Sequence, residues 1–307
     1  MKKTLSLFIC LTLLFALCLP ALAAGDAARP YPDSAFFTYQ DYTLHYRMQE
    51  AENPKGQIML LHGFAATTAC WENLTAILTA NGYRCVLVDL PDFGYSSRET
   101  KETKRLPREE VIHALMAALS DEPWYVAGHS MGGFVALALA QTYPESVKNL
   151  LLYSTCGDNG WFHLLDPLTN NDTVAAVVGR IIEAIGSSRL FVRLFLRVAT
   201  CDFGYDPSPD VETYRTPFTV AGTGAGIVYY LSRLTNTDYA AVEGLRPILF
   251  MNGDRDVVCP PLERINLRRH LPEGSVDYTV KGGGHMLICS HADLAARVTL
   301  AFLENNP

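Results

Sequence analysis

Residues 128–133 read Gly-His-Ser-Met-Gly-Gly and lie between two segments of different character. Residues 124–127 are typical of a short buried strand, and residues 134–140 are small and apolar, which favours a helix. This context predicts a sharp strand-to-helix turn with Ser130 at its tip, where the surrounding glycines let neighbouring backbone approach closely. Ser130 is therefore a candidate nucleophile. The alternative is an ordinary serine that caps the helix N-terminus.

The composition narrows the class of protein. The chain has 307 residues, of which 49% are hydrophobic, so it can bury a sizeable core. Its formal net charge of −7 argues against a nucleic-acid partner and favours a soluble, mildly acidic protein. The sequence contains no phosphate-binding loop, no dinucleotide fingerprint after a first strand and no paired-cysteine zinc motif. We therefore expect neither a cofactor nor a metal.

The first residues have the pattern of a signal peptide, which we assign to residues 1–23. Lys2 and Lys3 precede an apolar run over residues 5–19, and residues 20–23 (Pro-Ala-Leu-Ala) resemble a small-residue cleavage site. The run is shorter than the roughly 20 residues that span a bilayer, so an uncleaved membrane anchor is the lesser alternative. The mature protein is expected to be secreted or periplasmic.

Six cysteines remain beyond the leader, and the sequence does not determine how they pair. Buried free thiols are one expectation, because cysteine packs as a small hydrophobic residue. A Cys259–Cys289 bridge is the other hypothesis, since it would join two loops that carry candidate site residues. The six are Cys70, Cys85, Cys156, Cys201, Cys259 and Cys289.

Strands and helices alternate along most of the chain, which predicts a parallel sheet covered on both faces. Strands are expected at residues 35–38, 42–48, 57–61, 84–90, 124–127, 147–153, 247–251 and 276–280. Helices are expected at residues 68–80, 107–119, 134–143, 173–185, 189–199, 220–234, 262–271 and 292–303. The core comprises residues 24–156 and 245–307, and residues 157–244 form a helical insertion between the sixth and seventh strands.

The insertion is expected to lie over the carboxyl ends of the strands, where open α/β sheets bind ligands, and so to act as a lid. It is apolar, with aromatic and leucine side chains at residues 161, 162, 164, 165, 191 and 195. Arg189, Arg193 and Arg197 recur every four residues and so share one helix face. That face is either simply solvated or attracted to an anionic membrane or acidic substrate.

Three polar residues follow predicted strands directly: Ser130, Asp256 and His285. Their chain order is serine, aspartate, histidine, as in one known arrangement of a catalytic triad. Asp254 is the alternative acid, although it is better explained as a turn residue. Asp158 is a remoter substitute.

Several motifs together resemble the α/β-hydrolase fold superfamily, in its serine-nucleophile group of esterases and lipases. They are residues 62–64 (His-Gly-Phe), residues 89–96 (Asp-Leu-Pro-Asp-Phe-Gly-Tyr-Ser), the turn at 128–133, residues 253–256 (Gly-Asp-Arg-Asp) and residues 284–285 (Gly-His). Asp92 departs from this pattern, because glycine is usual at its position. Ala65 stands where proline or glycine is common.

In this arrangement His285 accepts the Ser130 proton, and Asp256 holds the His285 ring in the required tautomer. The backbone N–H groups of Phe64 and Met131 would stabilise the oxyanion. His62 and His129 are expected to hydrogen-bond loops near the site. The remaining histidines are expected on the surface or on helix faces (His45, His113, His163, His270 and His291).

The sequence thus predicts an exported serine hydrolase that cleaves carboxylic esters of hydrophobic small molecules or lipids. The same triad serves hydrolysis of C–C or amide bonds, which is the alternative reaction. A non-catalytic binding protein on the same scaffold is the alternative from another functional class. If the substrate is a lipid, peripheral membrane contact through the lid is also expected. The sequence does not determine the oligomeric state.

Overall fold

A single eight-stranded sheet organises the protein. The computed structural model describes residues 29–100, 102–155, 172–202, 204–231, 237–259 and 261–307. The strands are β1 (Ser34–Tyr39), β2 (Tyr42–Gln49), β3 (Gly56–Leu61), β4 (Tyr83–Val88), β5 (Trp124–His129), β6 (Val147–Tyr153), β7 (Ile248–Gly253) and β8 (Val276–Val280). Their spatial order is β1-β2-β4-β3-β5-β6-β7-β8. The first two strands run antiparallel to their neighbours, and the other pairs are parallel.

Helices connect the parallel strands, because a parallel neighbour can be reached only by a crossover. They are α1 (Glu72–Ala80), α2 (Arg108–Leu119), α3 (Met131–Thr142), α4 (Asp172–Gly186), α5 (Arg189–Thr200), α6 (Val211–Arg215), α7 (Thr223–Leu231), α8 (Tyr239–Glu243), α9 (Pro261–Arg269), α10 (Leu287–Ser290) and α11 (Ala292–Asn305). Helices α4 to α8 all lie between β6 and β7 in the chain.

Successive side chains of the central strands point to opposite faces of the sheet, so the core has two layers. In β3, Met59 and Leu61 pack into the cluster that contains the apolar residues of α2 and α3. Ile58 and Leu60 pack into the cluster on the other face, which contains those of α1 and α11. Both faces of the sheet are therefore covered, and the carboxyl ends of the parallel strands meet along one edge. This is the predicted α/β-hydrolase architecture.

The predicted elements agree with the observed ones to within a few residues, with one instructive difference. The helix expected from Val220 begins at Thr223, because Thr216–Thr219 form a tight 3-10 turn and Val220 is extended. The signal-peptide prediction, residues 161–165, Asp158 and His163 fall outside the described residues. The proposed domain boundaries stay a prediction. Within the described ranges, none of the helices is long and apolar enough to cross a membrane.

The expectation that His45 lies on the surface is wrong. Its ring is completely buried and bridges two polar groups, with Nδ1 2.7 Å from Asp89 Oδ2 and Nε2 2.8 Å from Ser34 Oγ. The Asp89 carboxylate also accepts hydrogen bonds from Thr68 N–H and Tyr95 N–H, at 2.7 and 2.9 Å. The buried Asp89 side chain therefore connects the loop after β4 to the β1–β2 hairpin and to the turn that precedes α1.

Asp89 should make the stability of the fold sensitive to acid. Burial by itself raises the pKa of its carboxyl, but the hydrogen bond from His45, the nearby His62 and the Tyr95 N–H lower it below the ordinary value. A carboxylate with a lowered pKa stabilises the folded state above the unfolded pKa, and that stabilisation is lost as the pH falls through the folded pKa. Asp89→Asn is therefore expected to cost about 3 kcal/mol at neutral pH, as removal of one partner of a buried pair does.

Urea unfolding at a series of pH values measures this effect. The difference between wild type and Asp89→Asn should shrink as the pH falls below about 4. Asp121→Asn, at an exposed aspartate, is the control and should be near neutral throughout. An Asp89→Asn penalty that stayed constant down to acid pH would contradict this account.

The Cys259–Cys289 bridge hypothesis is wrong. Cys259 is disulfide-bonded, whereas Cys289 is a free thiol, as are Cys70, Cys85 and Cys201. The Cys289 Sγ lies 3.5 Å from the Cys70 carbonyl oxygen and 3.6 Å from the Tyr214 hydroxyl. Burial raises the pKa of the Cys289 thiol to about 12, so it stays protonated and packs as an apolar group. Cys156 lies outside the described residues.

Alkylation of the unfolded, unreduced protein followed by peptide mass mapping checks this assignment. Cys289 and Cys70 should carry the alkyl group, whereas Cys259 should become reactive only after reduction. A peptide that links Cys259 to Cys289 would contradict the structure.

Candidate functional site

Ser130 occupies the strand-to-helix turn that its sequence context predicts. It lies between the last residue of β5 and the first residue of α3, with φ 51° and ψ −117°. A non-glycine residue in this region is strained by about 1–3 kcal/mol and persists only where its surroundings fix it. Here the Ser130 N–H donates to Tyr153 O at 3.0 Å, and the Ser130 carbonyl accepts from Gly133 N–H at 3.0 Å.

The turn is held against β3 at a distance that only glycine permits. A Cβ atom at Gly132 would lie 2.1 Å from Leu61 O and 2.6 Å from His62 O, both of which are backbone atoms. The start of α3 and the loop after β3 are thus in direct contact. This contact brings Gly63 against Ser130, because a Cβ at Gly63 would lie 3.1 Å from the Ser130 Cβ.

Two backbone N–H groups beside Ser130 have no hydrogen-bond acceptor among the described residues. Met131 N–H belongs to the first turn of α3, where helix geometry supplies no acceptor. Phe64 N–H lies in the loop after β3, next to the Gly63 that contacts Ser130. The structure therefore places both predicted oxyanion donors next to the candidate nucleophile.

His285 and Asp256 form a buried pair at the carboxyl ends of β8 and β7. His285 Nδ1 lies 2.9 Å from Asp256 Oδ2. The other oxygen, Asp256 Oδ1, accepts from Val258 N–H and Cys259 N–H at 2.9 Å each. Burial raises the pKa of the Asp256 carboxyl, but the His285 hydrogen bond and charge and these two N–H groups lower it below its ordinary value. Asp256 is therefore ionised at neutral pH and can orient the His285 ring.

Within the described residues, no hydrogen bond joins the alternative acid, Asp254, to His285. Its carboxylate is exposed and accepts the Gly282 N–H at 2.7 Å, which closes the turn after β8. Asp254 thus has the turn role that the sequence suggested for it.

His129 and His62 brace the loops around Ser130, as predicted. His129 Nε2 lies 2.9 Å from the His285 carbonyl oxygen, and the two rings have centroids 5.0 Å apart. Burial lowers the pKa of His129 to about 3, with a smaller contribution from the His285 charge, so this ring is neutral and donates through Nε2. His62 Nε2 accepts from Leu90 N–H at 3.0 Å, and its Nδ1 lies 2.7 Å from Gly63 O.

Ser130 and His285 are brought to the same edge of the sheet but are not bonded to each other. Within the described part of the chain, no hydrogen bond joins Ser130 Oγ to the His285 ring. Such bonds are commonly long in ligand-free enzymes and tighten when substrate binds. Ser130, the His285–Asp256 pair and two backbone N–H groups without an acceptor among the described residues thus lie at one edge of the sheet.

Asp92, which departs from the family motif, is buried and forms an ion pair that the sequence did not reveal. It has φ 73°, the backbone region that glycine would favour, and its carboxylate lies 2.5 Å from Arg108 Nη2. The Arg108 guanidinium lies 4.1 Å from the centroid of the Tyr230 ring. Tyr230 packs edge-on against Phe93, and Phe93 packs the same way against Phe64. A continuous chain of side-chain contacts therefore runs from Asp92 to Phe64 in the loop after β3.

Helix α5 contacts the loop that carries His285, a feature that sequence reasoning missed. Met286 N–H donates to Ala199 O at 3.2 Å. A Cβ atom at Gly284 would lie 2.2 Å from Thr200 O and 2.5 Å from Ala199 O. The only signal in the sequence is the run of three glycines at 282–284, which indicates a close backbone approach without naming its partner.

Comparison with known proteins agrees with this geometry. Residues 57–292 match the alpha/beta hydrolase fold family. The chain belongs to this family. The pimeloyl-[acyl-carrier protein] methyl ester esterase of Xylella fastidiosa is 28% identical over 81% of this chain and 96% of its own length. The abhydrolase domain-containing protein abhd-5.2 of Caenorhabditis elegans is 34% identical, over 38% of this chain and 27% of that protein.

A solved structure shows the same fold at greater sequence distance. A bacterial membrane phospholipase A superposes with a TM-score of 0.69 at 21% identity, over 89% of this chain and 86% of that chain. This α/β hydrolase therefore has an ester hydrolase among its relatives and a phospholipase among its structural neighbours.

The contact between α5 and the His285 loop gives a prediction for this hydrolase. Gly284→Ala should push the loop away from Thr200 O, because both close neighbours are backbone atoms that cannot move aside independently. We expect kcat for a nitrophenyl ester to fall at least about tenfold, since misplacement of a catalytic group by 1 Å costs on the order of a hundredfold.

Gly282→Ala is the matched control. A Cβ there meets nothing within 4 Å, although φ is 80°. This variant should lose about 1 kcal/mol of stability and keep its kcat within a few-fold. Equal kcat values for the two variants would mean that the α5 contact does not position His285.

Proposed function

We propose that the chain is an exported serine hydrolase that cleaves carboxylic esters of hydrophobic small molecules or lipids through an acyl-enzyme intermediate. The observation that carries this proposal is the conformation of Ser130, strained at φ 51° and ψ −117°, with the free N–H groups of Phe64 and Met131 beside it. A strained residue at a strand-to-helix turn exposes its hydroxyl to an incoming carbonyl.

The proposed reaction has two halves. His285 Nε2 takes the Ser130 proton while Oγ attacks the ester carbonyl carbon, and the N–H groups of Phe64 and Met131 stabilise the oxyanion that forms. The C–O bond to the alcohol then breaks, and the leaving oxygen takes the proton from His285. Water attacks the acyl-enzyme by the same route, which releases the carboxylic acid and restores Ser130. Asp256 stabilises the His285 cation in both halves.

Apolar side chains around the site support a hydrophobic substrate. The Phe64 side chain is 42% exposed next to the oxyanion donors, and Val257 and Val258, which follow Asp256, are 65% and 43% exposed. Apolar groups that border a reactive centre favour acyl or alcohol groups that leave water when they bind. The methyl ester esterase and the phospholipase among the similar proteins point in the same direction.

Export is supported by the leader sequence and by the cysteines. Residues 1–23 have the charged start, apolar run and small-residue end of a signal peptide. Cys259 is disulfide-bonded, and such bonds persist in oxidising compartments outside the cytosol. Mass spectrometry of the protein purified from culture medium or periplasm, with a new N-terminus near residue 24, is the direct measurement. Recovery from the cytosol with residues 1–23 intact would contradict export.

Ser130→Ala tests the nucleophile. Wild-type protein should react with a fluorophosphonate probe and hydrolyse nitrophenyl esters. The variant should lose the label and at least about a thousandfold of kcat, as removal of a nucleophile does. Ser154→Ala is the control, because this buried hydroxyl lies after β6 and has no hydrogen-bond partner in the described structure. Absence of labelling in the wild type, or labelling that survives in Ser130→Ala, would overturn the proposal.

A pair of aspartate variants tests the acid. Asp256→Asn should lower kcat by about a thousandfold or more, because the amide favours the wrong His285 tautomer. Asp254→Asn should change kcat by less than about threefold, since this exposed residue only closes a turn. Circular dichroism melting would verify that both variants are folded. A reversed order of the two effects would assign the acid to Asp254.

A further inference from the structure

Helix α5 exposes an unusually apolar face. Five large hydrophobic residues of this one helix are exposed, and the most exposed are Leu190 at 69% and Leu194 and Val198 at 58% each. Phe191 and Phe195 complete the set. Single exposed apolar residues are ordinary on protein surfaces, but a contiguous apolar patch marks an interaction site.

The orientation of the helix is fixed by its other face. Val192, Leu196 and Ala199 are buried against the core layer that also contains apolar residues of α10 and α11. Ser188 caps the helix N-terminus by accepting the Phe191 N–H. Rotation that would bury the apolar patch would expose these residues instead. The helix therefore holds two apolar faces, one in the core and one toward solvent.

A row of arginines borders the exposed patch. At 100° per residue, Arg189, Arg193 and Arg197 lie along one flank, between the buried face and the exposed apolar face. Among the described residues, two acids act on these arginines. The Glu212 carboxylate pairs with Arg189 at 2.8 Å, and the pKa of Asp206 is lowered by the Ser208 hydrogen bonds and by the charges of Arg193 and Arg197.

Arg215 also pairs with Glu212, at 2.7 Å, so two arginines share this one carboxylate, whereas Arg193 and Arg197 form no ion pair within the described residues. This row of three arginines on one helix contrasts with the net charge of −7 on the whole chain. We call the five exposed apolar residues and the three arginines of α5 the α5 surface.

We propose that the α5 surface docks the protein on an anionic lipid surface, with the apolar residues in the acyl boundary and the arginines at the headgroups. A helix with a strongly apolar face and a basic flank lies in the plane of such an interface. The contact of Ala199 O with Met286 N–H places the end of this helix at the loop that carries His285. Docking would therefore bring the candidate active site to the lipid.

The charge of the arginines favours a lipid surface over a second copy of the chain as the partner of the α5 surface. A two-fold dimer would bring the same patch of each copy together, with both arginine rows at the interface. Anionic headgroups instead attract each arginine, by about 1 kcal/mol apiece near the surface. The lipid surface is therefore the complementary partner.

Vesicle co-sedimentation with Ser130→Ala protein tests the proposal without lipid hydrolysis. The probes are vesicles of phosphatidylcholine alone and vesicles that also contain phosphatidylglycerol. We expect binding to the anionic vesicles, weakened by added salt because the arginine attraction is screened. Arg193→Gln should lower the partition coefficient about fivefold. Leu194→Ser with Val198→Ser should lower it at least about tenfold, because two apolar side chains leave the acyl boundary.

Matched controls use similar side chains elsewhere on the surface. Arg297→Gln changes an exposed arginine of α11, and Val276→Ser changes an exposed valine of the edge strand β8. Both should leave vesicle binding unchanged, and thermal melting would verify that every variant is folded. Light scattering would report a dimer, and a dimer that the α5 variants abolish would overturn the proposal in favour of a second copy.

Absence of binding to anionic vesicles would also overturn it, as would equal losses in the α5 variants and the controls. The binding measurement does not depend on the proposed esterase activity. Failure of the fluorophosphonate test would leave vesicle binding intact, and failure of vesicle binding would leave nitrophenyl ester hydrolysis intact.

Discussion

The strained backbone of Ser130 is the constraint on which the candidate site depends. A cost of about 1–3 kcal/mol at one residue is tolerated because the surrounding sheet fixes both ends of the turn. Strand β5 lies in the middle of the sheet, bonded to β3 on one side and β6 on the other, so its end cannot relax. The absence of a side chain at Gly132 then lets α3 begin directly against the loop after β3. That contact brings the loop that carries Gly63 and Phe64 against Ser130.

The remaining site groups follow from the parallel sheet. Loops after β3, β5, β7 and β8 all emerge at one edge, so residues far apart in the chain meet without any long-range sequence signal between them. The surroundings of Asp256 and His129 then give the two side chains different charge states. Hydrogen bonds to Asp256 lower its pKa in spite of burial, whereas burial lowers the pKa of His129 and keeps it neutral. An ionised acid and a neutral histidine thus both contact His285.

Much of this arrangement could be predicted because its signals are local. A strand followed by glycines, or an aspartate directly after an apolar run, carries its meaning within a few residues. His45 had no such signal: it lies in a strand of mixed pattern, and its partner Asp89 is 44 residues away, so only the fold reveals that both are buried. The same holds for Asp92 and Arg108. The prediction of a Cys259–Cys289 bridge was wrong for a related reason. It rested on the nearness of both cysteines to site residues in the sequence, which does not determine which thiols face each other in the fold.

The apolar outer face of α5 is difficult to explain by stability alone. Each of its five side chains exposes hydrocarbon to water although the helix is already anchored by Val192, Leu196 and Ala199. Polar residues at the five positions would keep the anchoring face and remove an aggregation hazard. The exposed face therefore calls for a function outside the fold itself. The close backbone contact between the end of this helix and Gly284 links that face to the edge of the sheet that carries the candidate site. A rigid connection of this kind orients the site relative to whatever the helix binds.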